Sequence, residues 1–193
     1  MGLTIKSTEG QTPIEPGNWP AACCGYIQLG THTSTFGDQT KRGPRLMLMW
    51  WMEEQRREIA RRYSLTLHSK GTLRATIEAM MGKLTPEMEA EFDLDHLIGK
   101  PCLLDVRLKT KTDGKTFAEV HAISSLPRGM SRPGLKGFNS EAGGAAKIYV
   151  MHDSEGRFQT PPAWVPDWVK NIISESEESI AAAKAAAVNE APF

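Results

Sequence analysis

Residues 41–68, KRGPRLMLMWWMEEQRREIARRYSLTLH, contain the pattern that decides the fold. Residues 45–52 form an apolar run that includes Trp50 and Trp51, and residues 63–67 alternate between apolar and polar side chains. A short continuous apolar run and an alternating run are both typical of β-strands. The stretch therefore predicts two strands joined by a turn.

Cationic side chains surround this predicted strand pair. They lie before it and within its turn: Lys41, Arg42, Arg45, Arg56, Arg57, Arg61 and Arg62. A single-stranded nucleic acid is bound by positive charge for its phosphates and flat rings for its bases, so the pattern indicates such a ligand. The alternative interpretation is a core hairpin with a solvated turn.

The net charge of zero is unevenly distributed along the 193 residues. Residues 1–150 carry 20 Lys and Arg against 16 Asp and Glu, whereas residues 151–193 carry 3 against 7. A basic body with an acidic tail favours an anionic ligand for the body, and a tail that competes for it or is recruited separately.

No stretch is apolar enough to predict a membrane span, and the three cysteines fit no disulfide or metal pattern, so we expect an intracellular location.

The order of predicted elements favours an all-β fold with minor α content. Strands are predicted at 22–29, 45–52, 63–67, 102–108 and 117–123, with helices at 72–81 and from Pro86 between the third and fourth strands. Three strands, a helical connection and a two-stranded hairpin are the order of the five-stranded OB-fold barrel. A sandwich or another small barrel fits the same alternation, but the position of the helical segment favours the OB fold.

The chain divides into three predicted parts. Residues 1–20 are an N-terminal arm, 21–165 the nucleic-acid-binding domain, and 166–193 a C-terminal helix followed by an acidic, flexible tail. The segment 30–44 is predicted as a mobile loop or a hairpin extension, and 147–151 as a candidate additional strand. An alanine run as short as the one in the tail is marginally helical by itself.

Five pieces of the sequence resemble the phage-encoded OB-fold single-stranded DNA-binding proteins. They are GYIQLGTHTSTFG, LMLMWWME, RRYSLTLHSKGTLRATIEAMMG, FDLDHLIGKPCLLDV and FAEVHAISSLP, within residues 25–127. The resemblance implies sequence-independent binding of single-stranded DNA in phage replication or recombination, in the cytoplasm of a bacterial host. It implies no enzymatic activity and no cofactor.

The end of the chain is similar to the tail of bacterial single-stranded DNA-binding proteins. The matching residues are Glu175, Glu177, Glu178, Pro192 and Phe193. The resemblance implies that these residues recruit replication or recombination enzymes. The acidic residues here are fewer than in that family and stand well before the last residues.

Four aromatic residues are candidates for base stacking. Trp50 and Trp51 are consecutive on a strand and point to opposite faces, so one is expected in the core and the other is a candidate stacking platform. The alternative, given equal weight, is that both are buried. Phe117 shares strand parity with Glu119 and is expected to be exposed, and Phe36 lies in the predicted loop. Tyr63 shares parity with apolar neighbours and is expected in the core.

The candidate phosphate-binding residues form two groups. One group surrounds the second and third strands, and the other lies in the hairpin of the fourth and fifth: Lys41, Arg42, Arg45, Arg57, Arg61 and Arg62, then Arg107, Lys109 and Lys111. In an OB barrel the two regions border one binding groove, so we expect the groups to converge.

No catalytic or metal-binding motif is present in the sequence. Acidic pairs such as Asp93 and Asp95 are of the kind that holds a metal in a nuclease, but the context of this pair fits turn and capping residues better. Two other hypotheses share the fold: a protein-interaction module of a replication or virion assembly, and a strand-annealing mediator. The sequence leaves homo-oligomerisation open.

Overall fold

The computed structural model of the protein describes residues 14–139 and 146–189. Within these residues the elements are β1 (Gly17–Phe36), β2 (Gln39–Met52), β3 (Arg57–Ser64), α1 (Thr72–Met81), α2 (Pro86–Ala90), a 3-10 turn (Leu94–Leu97), β4 (Pro101–Thr110), β5 (Thr116–Ser124), β6 (Lys147–Tyr149), α3 (Asp167–Ser174) and α4 (Glu177–Asn189). The fold is mostly β with few helices, as predicted.

The strands form one sheet in the order β3-β2-β1-β4-β5, in which all neighbours are antiparallel. The short β6 adds a parallel pairing to β1, where Gly25 lies opposite Lys147. In the described part of the chain no backbone ladder joins β3 to β5, so the sheet is open. The closed five-stranded barrel expected from the sequence is therefore not confirmed.

The inner face of the sheet holds the first hydrophobic core. Trp50, Leu48 and Leu104 are fully buried there, and Ile77 packs onto them from α1. The helix α1 has the predicted bounds, and Gly82 ends it at a positive φ of 91°. Apolar residues recur along α1 with the period of a helix, so one face of the helix packs on this core and the other faces solvent. That period made α1 predictable from the sequence.

A second core covers the outer face of β1 and β2. Met47, Met49 and Trp51 project from that face and are covered by β6 and by the buried Val169 and Ile173 of α3. Strands that are buried on both faces have continuous apolar sequences rather than alternating ones. This two-sided burial is the physical reason for the unbroken apolar run in β2.

Beyond the two cores, β1 and β2 continue as a long hairpin formed by residues 30–45. A two-residue turn closes it at Gly37, whose φ is 58°, a value that glycine adopts without steric cost. The sequence left a mobile loop and a hairpin extension open for this segment, and the structure shows the hairpin.

The third strand differs from the prediction. It runs from Arg57 to Ser64, so Arg57, Arg61 and Arg62 lie on the strand itself, whereas Arg56 remains in the turn as expected. Ile59 and Tyr63 are buried and Arg61 lies between them on the same face. Arginine tolerates such a position because its aliphatic stem packs on apolar groups while the guanidinium remains in water. Because Arg61 stands where an apolar residue would be expected, the strand did not show a regular apolar–polar alternation in the sequence.

Candidate nucleic-acid interface

The open side of the sheet forms a groove of about 870 Å³, which we call the β3–β5 groove. Side chains of β3 and β5 line its two sides, and the first turns of α3 form a further wall. The guanidinium of Arg61 spans the opening, because its Nη1 donates to the backbone oxygen of His121 at 3.2 Å.

Two aromatic rings line the β3–β5 groove and are accessible to solvent. Phe117 at the start of β5 is 38% exposed, as its parity predicted, and Trp168 in α3 is 56% exposed. The buried Val169 and Ile173 fix α3 on the sheet, so the indole of Trp168 is held outward by a helix that is itself well anchored. Both rings are available for stacking against a flat ligand.

Three cations line the same groove: Arg61, Arg62 and Lys111. Among the described residues none of them has a carboxylate within ion-pair distance. Arg61 lies 5.5 Å from the Tyr63 ring centroid, and Lys111 Nζ lies 5.4 Å from that of Phe117. These cations therefore remain free to bind an anion next to the aromatic rings.

The two carboxylates that line the groove are already neutralised. Glu58 accepts from Lys147 Nζ at 2.7 Å, and Glu119 lies 3.5 Å from Lys109 Nζ. Among the described lining residues, the charge left without a partner is therefore positive. A polyanion that carries flat groups is the kind of ligand that such an arrangement binds.

The expectation that Trp50 or Trp51 offers an exposed ring is wrong. Trp50 is fully buried in the inner core, and Trp51 is 7% exposed. Trp51 is covered because Phe138 packs on it at 5.8 Å between ring centroids, and its Nε1 donates to the Lys136 oxygen. The segments that cover Trp51 are far away in the sequence, so strand parity alone did not reveal them.

Only part of the predicted basic set converges on the groove. Arg61, Arg62 and Lys111 line it with Phe117. The remaining candidates do not line it: Lys41, Arg42 and Arg45 on the long hairpin, Arg57 at the start of β3, and Arg107 and Lys109, which pair with Asp105 and Glu119. Phe36 ends β1, but its side chain lies outside the described part of the chain.

The acidic residues after α3 bind the long hairpin. Arg42 donates two hydrogen bonds to the Glu177 carboxylate and forms a bidentate ion pair with it; the distance from Arg42 Nε to Glu177 Oε1 is 2.7 Å. Glu178 accepts from the Thr31 backbone nitrogen at 2.8 Å and from Thr31 Oγ1 at 2.6 Å. We call this set of contacts the glutamate clamp.

The glutamate clamp explains why α4 is helical where a flexible tail was expected. The fully buried Ser176 caps the helix by accepting from the Ser179 nitrogen at 3.2 Å, and capping and docking together stabilise a segment that is marginal alone. Of the other tail residues proposed to bind partners, Glu175 is exposed, and Pro192 and Phe193 lie outside the described residues.

The glutamate clamp should depend on pH. The hydrogen bond from Arg42 lowers the pKa of Glu177, and the bonds from Thr31 lower the pKa of Glu178 despite the opposing effect of burial. A carboxyl with a lowered folded pKa contributes stability above its ordinary value of 4.5, and this is lost as pH falls through the folded pKa. We expect the NMR chemical shift of the Thr31 amide proton to change as the pH falls below about 4.5. In the variant Glu177→Gln/Glu178→Gln the same chemical shift should not change with pH in this range. A wild-type midpoint at or above 4.5 contradicts this.

The described residues contain no group of three or more His, Cys, Asp or Glu side chains that could hold a metal ion. Asp93 caps the 3-10 turn through the Asp95 nitrogen at 2.9 Å, and Asp95 accepts from the Tyr26 hydroxyl at 2.7 Å. Asp93 thus has the capping role that the sequence favoured, whereas the Asp95 side chain joins the 3-10 turn to Tyr26 of β1. The three cysteines are free and buried, and burial raises the pKa of the Cys23 thiol to about 12.

Trp168 is the groove residue that the site prediction missed. Trp168 lies in the predicted C-terminal helix and was not among the four aromatic candidates for base stacking. Val169 and Ile173 are spaced by four residues and fix the buried face, which leaves the preceding residue turned about 100° away from Val169. That offset is a signal from which its exposure could have been inferred.

No known family model matches the chain, and neither a curated protein nor a solved structure is significantly similar to it. None of the helices in the described ranges is both long and apolar enough to cross a membrane.

Proposed function

We propose that this chain is a non-enzymatic, largely sequence-independent single-stranded DNA-binding protein of a phage-like replication or recombination system. One observation carries the proposal: in the part of the chain that the structure describes, the same groove is lined by two exposed rings and by three cations without a carboxylate partner. Phe117 and Trp168 stack bases, while Arg61, Arg62 and Lys111 bind the flanking phosphates.

The topology supports an OB fold whose barrel is open between β3 and β5. The strand order and the position of α1 between β3 and β4 match the order of elements in an OB barrel, and the contact from Arg61 to the His121 backbone bridges the two unpaired strands. In this proposal the nucleic acid binds along the β3–β5 groove, where the barrel is not closed. The known OB-fold groove faces the second and third strands, which lie next to this opening.

The chemistry of the groove favours single strands over duplex. Stacking on Phe117 or Trp168 needs a base whose face is free. In a duplex the base faces are stacked on each other and only the edges are accessible in the grooves. A duplex therefore offers phosphates to the cations but no partner for the rings.

The C-terminal region is proposed to act by competition and recruitment. While α4 is docked, Arg42 and Thr31 of the long hairpin are occupied by carboxylates. Release of the glutamate clamp would free these donors for phosphates, so the acidic segment competes for the hairpin rather than for the β3–β5 groove. Residues at the end of the tail then recruit partner enzymes.

The test is a fluorescence titration with oligo-dT and with duplex at several salt concentrations. We expect quenching by oligo-dT, because Trp168 is the most exposed tryptophan of the described residues. With three phosphate contacts the slope of log K against log[salt] should be about −2. The Trp168→Phe variant should retain binding with much less quenching. Equal affinity for duplex, or affinity independent of salt, overturns the proposal.

A protein-interaction module is the second candidate, and exposed apolar residues away from the groove favour it. Ile148 and Val150 are both exposed near β6. An Arg61→Gln/Arg62→Gln/Lys111→Gln variant distinguishes the two functions. It should lose oligo-dT binding in the proposed function, whereas a protein partner that docks at β6 would still bind.

A further inference from the structure

A second pocket of about 360 Å³ lies where β5 ends. Its walls come from the last turns of α1, from the start of β4 and from the segment that follows β5. Its lining residues are Ala79, Met80, Pro101 and residues 125–130 and 132. We call it the arginine pocket, because Arg128 and Arg132 project from that segment.

The arginine pocket combines positive charge with apolar walls. Both arginines are exposed, and within the described ranges neither has a carboxylate at ion-pair distance. No Asp or Glu is among its lining residues. Met80 and Met130 supply polarizable thioether walls, which contact aromatic rings favourably. A ligand with an anionic group and a flat apolar face, such as one nucleotide, matches this chemistry.

The segment that carries the arginines contains a local turn and has one contact to a distant part of the chain. The Met130 nitrogen donates to the Pro127 oxygen at 3.3 Å, which closes a turn with Gly129 at a φ of 86°. Downstream, the Gly134 nitrogen donates to Glu53 Oε2 at 3.3 Å. A turn and a downstream contact restrict the segment, and arginines on a restricted segment lose less conformational entropy on binding than arginines on a mobile loop.

The strand β5 connects the arginine pocket to the β3–β5 groove. His121 lines the groove, and Ser125, four residues further along the chain, lines the pocket. At about 3.3 Å per strand residue the two positions are about 13 Å apart. This distance is within reach of a single strand that is already held in the groove.

We propose that the arginine pocket is a second nucleotide subsite for the same DNA strand. Arg128 and Arg132 bind a phosphate, and a base packs between Met80 and Met130. This inference rests on the proposed function and extends it, because it makes the binding site bipartite and its affinity dependent on oligonucleotide length.

The experiment compares oligo-dT lengths from 4 to 16 nucleotides, the range of single-domain site sizes. The wild-type affinity should rise in a step at the length that reaches the arginine pocket. Arg128→Gln/Arg132→Gln should bind the shortest oligonucleotides like the wild type but lose the step, and its salt slope for long ones should be smaller by about 0.7, the value for one phosphate contact. Lys70→Gln/Lys184→Gln removes two charges elsewhere and should keep the step.

The outcomes separate this inference from the proposed function. If the wild type binds and Arg128→Gln/Arg132→Gln matches it at every length, the subsite is refuted while the groove proposal stands. An equal loss at all lengths also refutes a separate subsite. Failure of the wild type to bind any oligonucleotide overturns the proposed function and the subsite together. Thermal unfolding should give the same midpoint for both double variants, because all four residues are exposed.

Discussion

Trp168→Ala should weaken oligo-dT binding by about 5-fold to 150-fold, because loss of one stacked base costs about 1–3 kcal/mol. The fold should tolerate the change. The indole is largely exposed, and the buried Val169 and Ile173 still anchor α3. Fluorescence anisotropy with an end-labelled oligonucleotide measures the effect without the protein's own emission.

The matched control is Ile180→Ala, which also removes an exposed apolar side chain, 44% exposed, but from α4 outside the groove. It should bind like the wild type. Phe117→Ala should show a loss similar to that of Trp168→Ala, since both rings lie in the same groove. Identical affinities of Trp168→Ala and Ile180→Ala would exclude the indole as a stacking platform.

Lys147→Met should lower the free energy of unfolding by about 2–4 kcal/mol. The Lys147 side chain is 10% exposed, pairs with Glu58 and places its Nζ 5.5 Å from the Phe138 ring centroid. Removing one partner of a buried pair leaves an uncompensated charge, which typically costs 3–5 kcal/mol. The expected value is lower here because a third of the Glu58 side chain is still exposed.

The double variant Glu58→Gln/Lys147→Met separates the pair from the packing. It removes both charges and should recover most of the lost stability, because the remaining groups bury no unpaired ion. Urea unfolding at neutral pH measures both variants. A Lys147→Met protein as stable as the wild type would show that the pair adds nothing to holding β6 against β3.

Local features were predictable from the sequence. The bounds of α1 follow from its apolar period, and the start of α2 follows from Thr85, whose Oγ1 accepts from the Met88 nitrogen. Tyr63 and Phe117 were assigned to the correct faces from strand parity. In each case the deciding interactions lie within a few residues of the chain.

Features that depend on distant segments were not predictable in the same way. Trp51 is covered by Phe138, and α4 is held by Thr31 and Arg42, more than 130 positions from their glutamate partners. Four of the predicted residues, Arg61, Arg62, Lys111 and Phe117, nevertheless line the same groove, and they form the part of the candidate site that was foreseen. The other site residues depended on which sheet faces the C-terminal segments cover. The alternation of apolar and polar residues along a strand contains no information about that.

The second core is completed only by segments near the C-terminal end of the described chain, and this has a consequence for synthesis on the ribosome. β6 pairs with a strand made more than 100 residues earlier, and α3 follows later still. Until both emerge, a nascent chain presents Met47, Met49 and Trp51 to solvent beside an incompletely paired strand. Such surfaces attract chaperones and associate with each other. Translational pausing before residue 147 should therefore increase chaperone occupancy more than pausing after residue 174.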